Sequence, residues 1–508
     1  MFTNADHRVR VLEAAHRALR PRERALSDVN GSRPDLEGVV ASESGSETPR
    51  PLLTMPDTLR IASGQGFWGD LQRAPIDQAR RGPIDVLVMD YLAEVTMSIM
   101  QKQKLRDPAK GYARDFVEVV TELAPDIKER GFKVISNAGG VNPVACAEAI
   151  VEGARGRGAT GIKVAVVTGD DLLDRLDDLI ARGVELKHME TGQPLADVRD
   201  RIVSANAYLG ARPIAEALAL GADVVVTGRT TDTGLTLAPL VDRFGWDWTD
   251  WDKMAAGTVA GHILECGAQS SGGNFTDWHL VPDMSNIGFP IAEVSADGSF
   301  VVTKHDGTGG LVSRGTVAEQ LLYEIGDPTD YITPDVVADF TSIVLEDQGG
   351  DRVAVSGIRG TEDTEFLKVS AAYADGWKAT STLVYAWPDA AEKARAASTV
   401  LTDRLDALGL EFDEVRAEIL GAGALSERGG DPGLEGDLDE VQLRVSVRGQ
   451  DRTAVEQFGR EIAPLILTGP SAVTGFAGGR PRPSEVIAYW PALIPKSEVQ
   501  TDVRVLEV

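Results

Sequence analysis

The chain has few cysteines, few aromatic residues, no long apolar run and a deficit of positive charge. Two cysteines, Cys146 and Cys266, allow at most one disulfide, so a disulfide framework is excluded and a reducing cytoplasm is expected. No run of about 18 apolar residues occurs, so neither a membrane span nor a signal core is predicted. The formal net charge of -27 argues against nucleic acid as a partner, because no basic surface would offset phosphate repulsion.

The composition divides the chain of 508 residues into three predicted regions. Residues 1–54 contain arginines but no lysine and end in a stretch rich in Ser, Glu and Pro, so a disordered N-terminal extension is expected. Residues 55–365 are predicted to form an α/β main domain, and residues 366–508 a smaller α+β domain.

Short apolar strands alternate with helices in the main domain, which favours a parallel, Rossmann-like sheet, although a (β/α) barrel stays open. We predict strands over 59–64, 84–92, 132–140, 162–171 and 222–229, and helices over 112–130, 143–153 and 205–221. Polar residues follow these strands, namely Gln65, Asn137, Asp170 and Arg229. Ligands bind at the carboxyl ends of such strands, so we expect the site there.

The C-terminal region has a different pattern of elements. Residues 367–387 alternate and contain Asp375-Gly376, which predicts a hairpin turning at that pair. A helix over 390–408, a strand over 439–449 and a helix over 451–466 follow. This order favours a ferredoxin-like layer.

The loop after the first strand contains Gly64, Gly66 and Gly69 at the spacing of a dinucleotide-binding motif. This spacing alone is a weak signal, and the alternative is a tight turn that positions Asp70 or shapes a substrate pocket. We therefore count Gly64, Gly66 and Asp70 as substrate-binding candidates.

Two carboxylates, Asp90 and Glu94, are four residues apart, so at the start of a helix they would share a face. Such a pair can split its pKa values and act as acid and base. The alternative is a helix cap with a salt bridge to Lys102 or Lys104.

The segment SNAGGVNP precedes a helix opened by Pro143, a geometry that suits a carboxylate, carbonyl or phosphate. Its substrate-binding candidates are Asn137, Gly139, Gly140 and Asn142. The alternative is a structural turn.

The segment HILECGAQSSGG places His262 and Glu265 on one helical face, as catalytic candidates. Hydrogen-bonding and glycine positions after them are substrate-binding candidates: Gln269, Ser271, Gly272 and Gly273. The alternative is a helix end with a solvated His–Glu pair and a structural turn.

The segment KHDGTGGLVSRGT offers Lys304 and His305 for charge or proton transfer. Amides for an oxyanion would come from Gly307, Thr308, Gly309 and Gly310. The alternative is a β-hairpin between VVTK and LVSR. In TGRTTDTG, Arg229 and Asp232 are further substrate-binding candidates, and Arg229 could serve an anionic substrate.

No metal or redox cofactor is predicted. His262, Cys266, His279 and His305 match no metal-ligand spacing. A CoA thioester is a candidate substrate rather than a cofactor.

Together these segments resemble the acyclic terpene utilisation family of AtuA-like proteins. The matching segments are GQGFWGD, DYLAEVTM, SNAGGVNP, GADVVVTGRTTD, HILECGAQSSGG, KHDGTGGLVSRGTVAEQLLYEIGDP, YITPDVVADF, DRVAVSGIRG and RPSEVIAYWPALIPKSEV. The resemblance implies a role in the bacterial breakdown of branched acyl compounds, such as acids derived from citronellol or geraniol. Many relatives have a further ferredoxin-fold domain or a small companion subunit. We expect that this chain lacks the domain and leave a separate companion open.

The leading functional hypothesis is a hydro-lyase or C–C lyase acting beside a carbonyl on an acyl-CoA or carboxylate. Glu265 would be the base, and His305 or Lys304 the acid. The alternatives are a non-catalytic scaffold of an acyl-CoA degradation complex and a dehydrogenase that uses the Gly64 loop. A homo-oligomer is also expected, with Trp246, Trp248 and Trp251 either at its interface or in the core.

Overall fold

The computed structural model describes residues 58–92, 94–424, 438–475 and 479–508, and it describes no side chain for residues 93–95. The predicted N-terminal extension lies outside these ranges, and so does the side chain of Glu94. By its contacts, Met55–Val508 is one compact unit.

A ten-stranded mixed sheet carries the candidate site. Its centre is parallel, with the spatial order β1-β2-β3-β6-β4. These strands are β1 (Thr58–Gln65), β2 (Val86–Met89), β3 (Lys133–Ser136), β4 (Lys163–Thr168) and β6 (Val224–Thr227). Runs such as VLVM and VVVT are buried on both faces, which explains why they form central strands.

Antiparallel strands extend this sheet at both sides, so it is mixed rather than purely parallel. Beside β1 lie β7 (Ile291–Ser295), β8 (Phe300–Thr303), β12 (Val353–Ser356) and β11 (Val344–Asp347), in that order. Beside β4 lies β19 (Asp502–Glu507). A small separate sheet has the order β13 (Arg359–Thr361), β10 (Val337–Asp339) and β9 (Tyr331–Ile332).

Helices cover both faces of the large sheet. One hydrophobic core lies under α1 (Ala74–Arg81), α3 (Arg114–Arg130) and α4 (Pro143–Gly156). A second core contains α5 (Leu176–Ala181), α6 (Arg212–Ala219), α7 (Gly234–Phe244) and α8 (Trp251–Glu265). The remaining helices of this part are α2 (Glu94–Arg106) and α9 (Arg314–Leu322). Trp246 belongs to the second core, and Trp248 and Trp251 pack against it.

A six-stranded sheet holds the C-terminal elements. Its strands are β5 (Ile202–Ala207), β14 (Phe366–Ala386), β15 (Glu414–Leu420), β16 (Glu440–Gly449), β17 (Val473–Thr474) and β18 (Ser484–Pro495). The path is β15-β16-β14-β17, and β18 and β5 also pair with β14. The helices are α10 (Ala390–Ala407), α11 (Arg452–Ile462) and α12 (Leu465–Thr468), which share a third core with this sheet.

Short 3-10 turns complete the described elements: Leu173–Arg175, Leu195–Arg201, Gly267–Ser271, Trp278–Leu280, Met284–Asn286, Phe340–Ser342 and Lys496–Glu498. Among the described residues, no helix has both the length and the apolar character needed to cross a membrane.

Two predictions of local structure were wrong. Residues 366–386 form one bent strand instead of a hairpin, with a register shift between Ala374 and Trp377 and a left-handed Gly376. Each half of β14 finds other antiparallel partners, β5 and β18 for the first half and mainly β16 for the second, so the halves need not pair together. Residues 205–207 belong to β5, and the helix begins only at Arg212.

Candidate active site

Five polar residues lie at the carboxyl edge of the parallel strands; four were predicted there from the sequence, whereas Asp90 fell inside a predicted strand. They are Gln65, Asp90, Asn137, Asp170 and Arg229, and each is buried. Because the parallel strands end at the same edge, residues that are far apart in sequence meet there. Buried polar side chains are therefore grouped at this edge of the sheet, which makes it the candidate site.

Asp90 is held in the loop between β2 and α2. One carboxylate oxygen accepts from Asn137 Nδ2 at 2.7 Å and from the amide of Leu92 at 3.0 Å. The Asn137 side-chain oxygen accepts from the amide of Tyr91 at 2.8 Å. Burial raises the pKa of Asp90 well above its usual range, and nearby Asp232 raises it further. Asp90 is thus a candidate proton donor.

Asp90 precedes α2, which begins at Glu94, so the expected helical face shared by these two carboxylates does not form. The lysines offered as alternative partners bind elsewhere. Lys102 pairs with Glu485, and Lys104 Nζ donates to the carbonyl of Val141 at 2.7 Å.

Arg229 is the buried cation of this edge, with a side chain only 3% exposed. Its guanidinium donates to Asp232 at 2.5 Å and to the carbonyl of Thr230 at 3.0 Å. The guanidinium carbon lies 4.1 Å from the centre of the Tyr208 ring. Burial alone would lower the pKa of Arg229, but Asp232 raises it above its ordinary value, so the group stays charged. Its charge is balanced within the protein.

Asp170 accepts from the backbone amide of Arg229 at 2.7 Å and from Asn206 Nδ2 at 2.9 Å. Burial raises the pKa of Asp170 from 3.8 to about 7. Since this pKa is higher in the folded state, folding favours the protonated carboxyl, and the stability that it contributes is lost as the pH rises from about 4 to about 7.

We predict that Asp170→Asn removes this pH dependence. The stability of the variant relative to the natural protein should be greater at pH 8 than at pH 5, by an amount on the order of a few kcal/mol. Melting temperatures of both proteins between pH 5 and 8 measure the difference. Asp197→Asn, at an exposed position, is the matched control; an equal change in that variant would contradict the assignment to Asp170.

His262 and Glu265 occupy the last turn of α8 and form a dyad. His262 Nδ1 and Glu265 Oε1 are 2.7 Å apart, although their alignment is poor for a hydrogen bond. His262 Nε2 lies 3.0 Å from the carbonyl of Gln320, which can only accept, so this nitrogen carries a proton. The Gln320 side chain donates in return to the carbonyl of His262 at 2.7 Å. These bonds fix the ring, with Nδ1 facing Glu265.

Each member of the dyad shifts the pKa of the other. Burial raises the pKa of Glu265, and His262 partly opposes this effect. Burial lowers the pKa of His262, but Glu265 more than compensates and the net shift is upward. The His262 side chain is 1% exposed and that of Glu265 is 13% exposed. Glu265 can therefore reach a ligand, whereas His262 acts through Glu265.

The structure also brings groups to the dyad that the sequence analysis did not single out. The Tyr331 ring lies 5.4 Å from that of His262, and burial together with Glu265 and Asp232 raises the pKa of its phenol. Glu324 acts electrostatically on Glu265. The sequence feature that could have pointed to Tyr331 is its place at the start of YITPDVVADF, one of the segments that resemble the family. Asp90, Asp232 and Glu265 are called the acid cluster below, because Asp232 acts electrostatically on both other carboxyls.

The GQGFWGD loop packs directly against the end of the dyad helix. A Cβ placed on Gly66 would lie 2.6 Å from the amide nitrogen of Gly267 and 2.7 Å from the carbonyl carbon of Cys266. The amide of Gly66 donates to Asp70 at 2.9 Å. The turn that positions Asp70, which was one alternative for this loop, is thus present, and the N–H of Gly66 is engaged within it. Gly64 is packed among Leu87, Met89 and Pro75.

In the glycine-rich loops that were predicted to bind substrate, many backbone amides already donate hydrogen bonds to backbone carbonyls. In SNAGGVNP, the amides of Gly140, Val141 and Asn142 donate to backbone carbonyls. Gly139 lies close to the carbonyl of Thr227, and Asn142 Nδ2 donates to the carbonyls of Pro108 and Lys110. The same holds in the later loops for the amides of Gly272, Gly273, Gly309 and Gly310.

The two later loops pack on each other. Ser271 Oγ donates to the carbonyl of Gly288 at 2.6 Å, and the carbonyl of Ser271 accepts from Leu311 at 2.8 Å. Thr308 Oγ1 donates to the carbonyl of His305 at 2.6 Å. Gln269 is half-buried in the 3-10 turn after the dyad, and a Cβ placed on Gly307, at φ 72°, would have no atom within 4 Å. The expected hairpin between VVTK and LVSR does not form, because β8 pairs with β7 and β12 instead.

Lys304 and His305 have partners away from the dyad. Lys304 Nζ lies 3.0 Å from Asp351 and donates to the carbonyl of Thr308 at 3.1 Å. His305 Nε2 lies 2.9 Å from the carbonyl of Gln78. Burial lowers the pKa of His305, which favours the neutral ring. Neither Lys304 nor His305 is among the largest influences on the pKa of Glu265.

Two cavities flank the site. One, of about 380 Å³, lies between α1 and α3 and includes Gln65 and Tyr91 in its wall. The other, of about 340 Å³, includes Leu209 and Arg212. Among the described residues, no group of three or more His, Cys, Asp or Glu side chains is arranged to hold a metal ion.

Comparison with known proteins identifies the family. The family model described as acyclic terpene utilisation family protein AtuA matches residues 59–505, which is most of the chain. No significant match was found among curated proteins or among solved structures. The chain therefore belongs to the acyclic terpene utilisation family of AtuA proteins.

Proposed function

We propose that this protein is an enzyme that adds or removes water, or cleaves a carbon–carbon bond, next to the carbonyl group of a branched acyl compound. Family membership supports a place in acyclic terpene utilisation. The observation that carries the chemical part is the dyad, in which a buried imidazole is paired with a partly accessible carboxylate at the carboxyl edge of the sheet.

Glu265 is the general base of this proposal. A general base must accept a proton from a reacting atom and later release it, and it must reach that atom. Glu265 is accessible, whereas His262 is enclosed by Gln320 and by the rings of Tyr331 and Phe340. The imidazole can accept the proton that Glu265 removes, so it is a positioning residue that also stores a proton.

Asp90 is the general acid of this proposal. Burial raises its pKa, which favours the protonated carboxyl, while Asn137 fixes its orientation. Two carboxyl groups with different surroundings are a common basis for acid–base catalysis. Lys304 and His305, the acids considered from the sequence, are engaged with Asp351 and Gln78. In this proposal, proton donation by Asp90 stabilises the negative charge that develops on the carbonyl oxygen, and the glycine amides do not.

The test is a turnover assay for water addition and elimination on branched 2-enoyl-CoA thioesters and on unsaturated dicarboxylates. Incorporation of isotopic water into the product reports hydration, and release of a shorter acyl product reports cleavage. Turnover on a member of this panel is expected. Equal rates with and without the protein across the panel would exclude both reactions for these substrates.

We predict that His262→Phe shifts the acidic limb of the pH–rate profile to higher pH. His262 lowers the pKa of Glu265, so without the imidazole burial acts unopposed and the base stays protonated to higher pH. Rates measured from pH 5 to 9 provide the readout, and exposed His279→Gln is the control. An unchanged profile with a uniformly lower rate would indicate that His262 has only a packing role.

The finer structural predictions belong to the same proposal. A ferredoxin-like C-terminal layer is supported by the element sequence β14, α10, β15, β16, α11 and β17, with strand order β15-β16-β14-β17. A homo-oligomer and a small ferredoxin-fold companion subunit stay predictions.

A further inference from the structure

Arg229 is a buried cation paired with Asp232 of the acid cluster, and the charges around this pair bear on which substrates can bind. Arg229 already binds Asp232 through both terminal nitrogens, at 2.5 and 3.4 Å. A third contact goes to the carbonyl of Thr230 at 3.0 Å, and the Tyr208 ring covers one face of the guanidinium. Its Nε is buried and has no hydrogen-bond partner among the described residues. Asp232 thus occupies the position on Arg229 that a substrate carboxylate would take.

The accessible groups around this ion pair are acidic. Asp232 is 31% exposed, Glu265 is 13% exposed, and Glu324 is exposed beside them. Lys304, which the sequence offered for positive charge or proton transfer, is paired with Asp351. A free carboxylate entering the site would approach several like charges, while Arg229 and Lys304 are already paired with carboxylates, and such juxtaposition weakens binding.

We propose that Asp232 is a specificity-determining residue that restricts the site to substrates whose reacting acyl group is uncharged, such as a thioester or an amide. This inference rests on the proposed function only in taking the acid cluster as the substrate site. It narrows the substrate class from acyl compounds and free carboxylates to uncharged acyl groups.

The neighbouring charges agree with this assignment. Burial raises the pKa of Asp90 and Asp232 raises it further, which favours the protonated form of the proposed acid. An uncharged acyl group leaves this arrangement intact and can accept the proton of Asp90. A carboxylate in its place would oppose the ionisation of Glu265, the proposed base, by the same like-charge effect.

The first experiment uses formate and acetate as probes, with chloride at equal ionic strength as the reference. In Asp232→Ala the guanidinium loses its partner and a space of carboxylate size opens beside it. We expect this variant to melt at a lower temperature and to be restabilised saturably by formate or acetate. The natural protein should show no anion-specific shift. Asp232→Asn keeps the space filled, so it should show none either, and exposed Asp247→Ala controls for the loss of one charge.

The second experiment compares a branched 2-enoic acid with its N-acetylcysteamine thioester by calorimetry. The natural protein should bind the thioester at least about tenfold more tightly than the acid. In Asp232→Ala this preference should shrink or reverse. Saturable acetate binding by the natural protein, or equal affinity for acid and thioester, would overturn the proposal even if Asp232→Ala failed to fold. Both readouts measure binding, so a failure of the proposed acid–base chemistry would appear separately, in the turnover assay.

Discussion

Glu265→Gln is expected to keep the fold and ligand binding while it lowers turnover by roughly two to four orders of magnitude. The amide has the size of the carboxyl but cannot take a proton, and His262 loses the charge that it faces at 2.7 Å. Melting temperature, ligand affinity and the rate on the best substrate of the panel are the measurements. The matched control is Glu185→Gln, at an exposed position.

Full turnover by Glu265→Gln on the true substrate would remove the base assignment and favour a non-catalytic scaffold. In that case, changes at protein interfaces would impair function while changes at the dyad would not. A parallel loss of binding and turnover would instead point to a role in holding the substrate.

The second large effect is expected from Gly66→Ala. The new methyl group would lie 2.6 Å from the amide nitrogen of Gly267 and 2.7 Å from the carbonyl carbon of Cys266, both of which are backbone atoms. One of the two loops must move, at a cost of about 1–3 kcal/mol, and the residues that follow Glu265 move with it. We expect a lower melting temperature and a loss of turnover larger than the stability change alone explains.

Gly326→Ala is the control for this variant. No atom lies within 4 Å of a Cβ at Gly326, and its backbone is not left-handed, so the methyl group should be tolerated. Wild-type stability and turnover in Gly66→Ala would show that the GQGFWGD loop adapts without disturbing the dyad.

The parallel strands and the polar residues at their ends could be predicted from the sequence because both signals are local. A run such as VVVT is buried on both faces, and Arg229 follows it closely. The pairing of His262 with Glu265 could also be predicted, because a spacing of three residues on a helix brings two side chains together.

The partners of these residues could not be predicted, because they come from distant elements. Gln320 and Tyr331 reach His262 from α9 and β9, and no local spacing indicates that contact. Lys304 looked available as a cation until the fold placed Asp351 beside it. Asp375-Gly376 has the composition of a hairpin turn, but the long-range partners of β14 decide that it bends a single strand.

The pairing of β14 with β5 and of β19 with β4 has a consequence for the synthesis of the protein. The amide of Tyr208 donates to the carbonyl of Lys368 at 2.8 Å, and the amide of Leu209 donates to the carbonyl of Arg229 at 3.3 Å. During synthesis on the ribosome, β5 therefore lacks its sheet partner until β14 has emerged. One edge of β4 stays unpaired for longer, until residues 502–507 have emerged. Contacts over such sequence distances form slowly and leave strand edges open in the meantime. Because unpaired strand edges promote aggregation, we expect the nascent chain to benefit from chaperones until residues 502–507 have emerged.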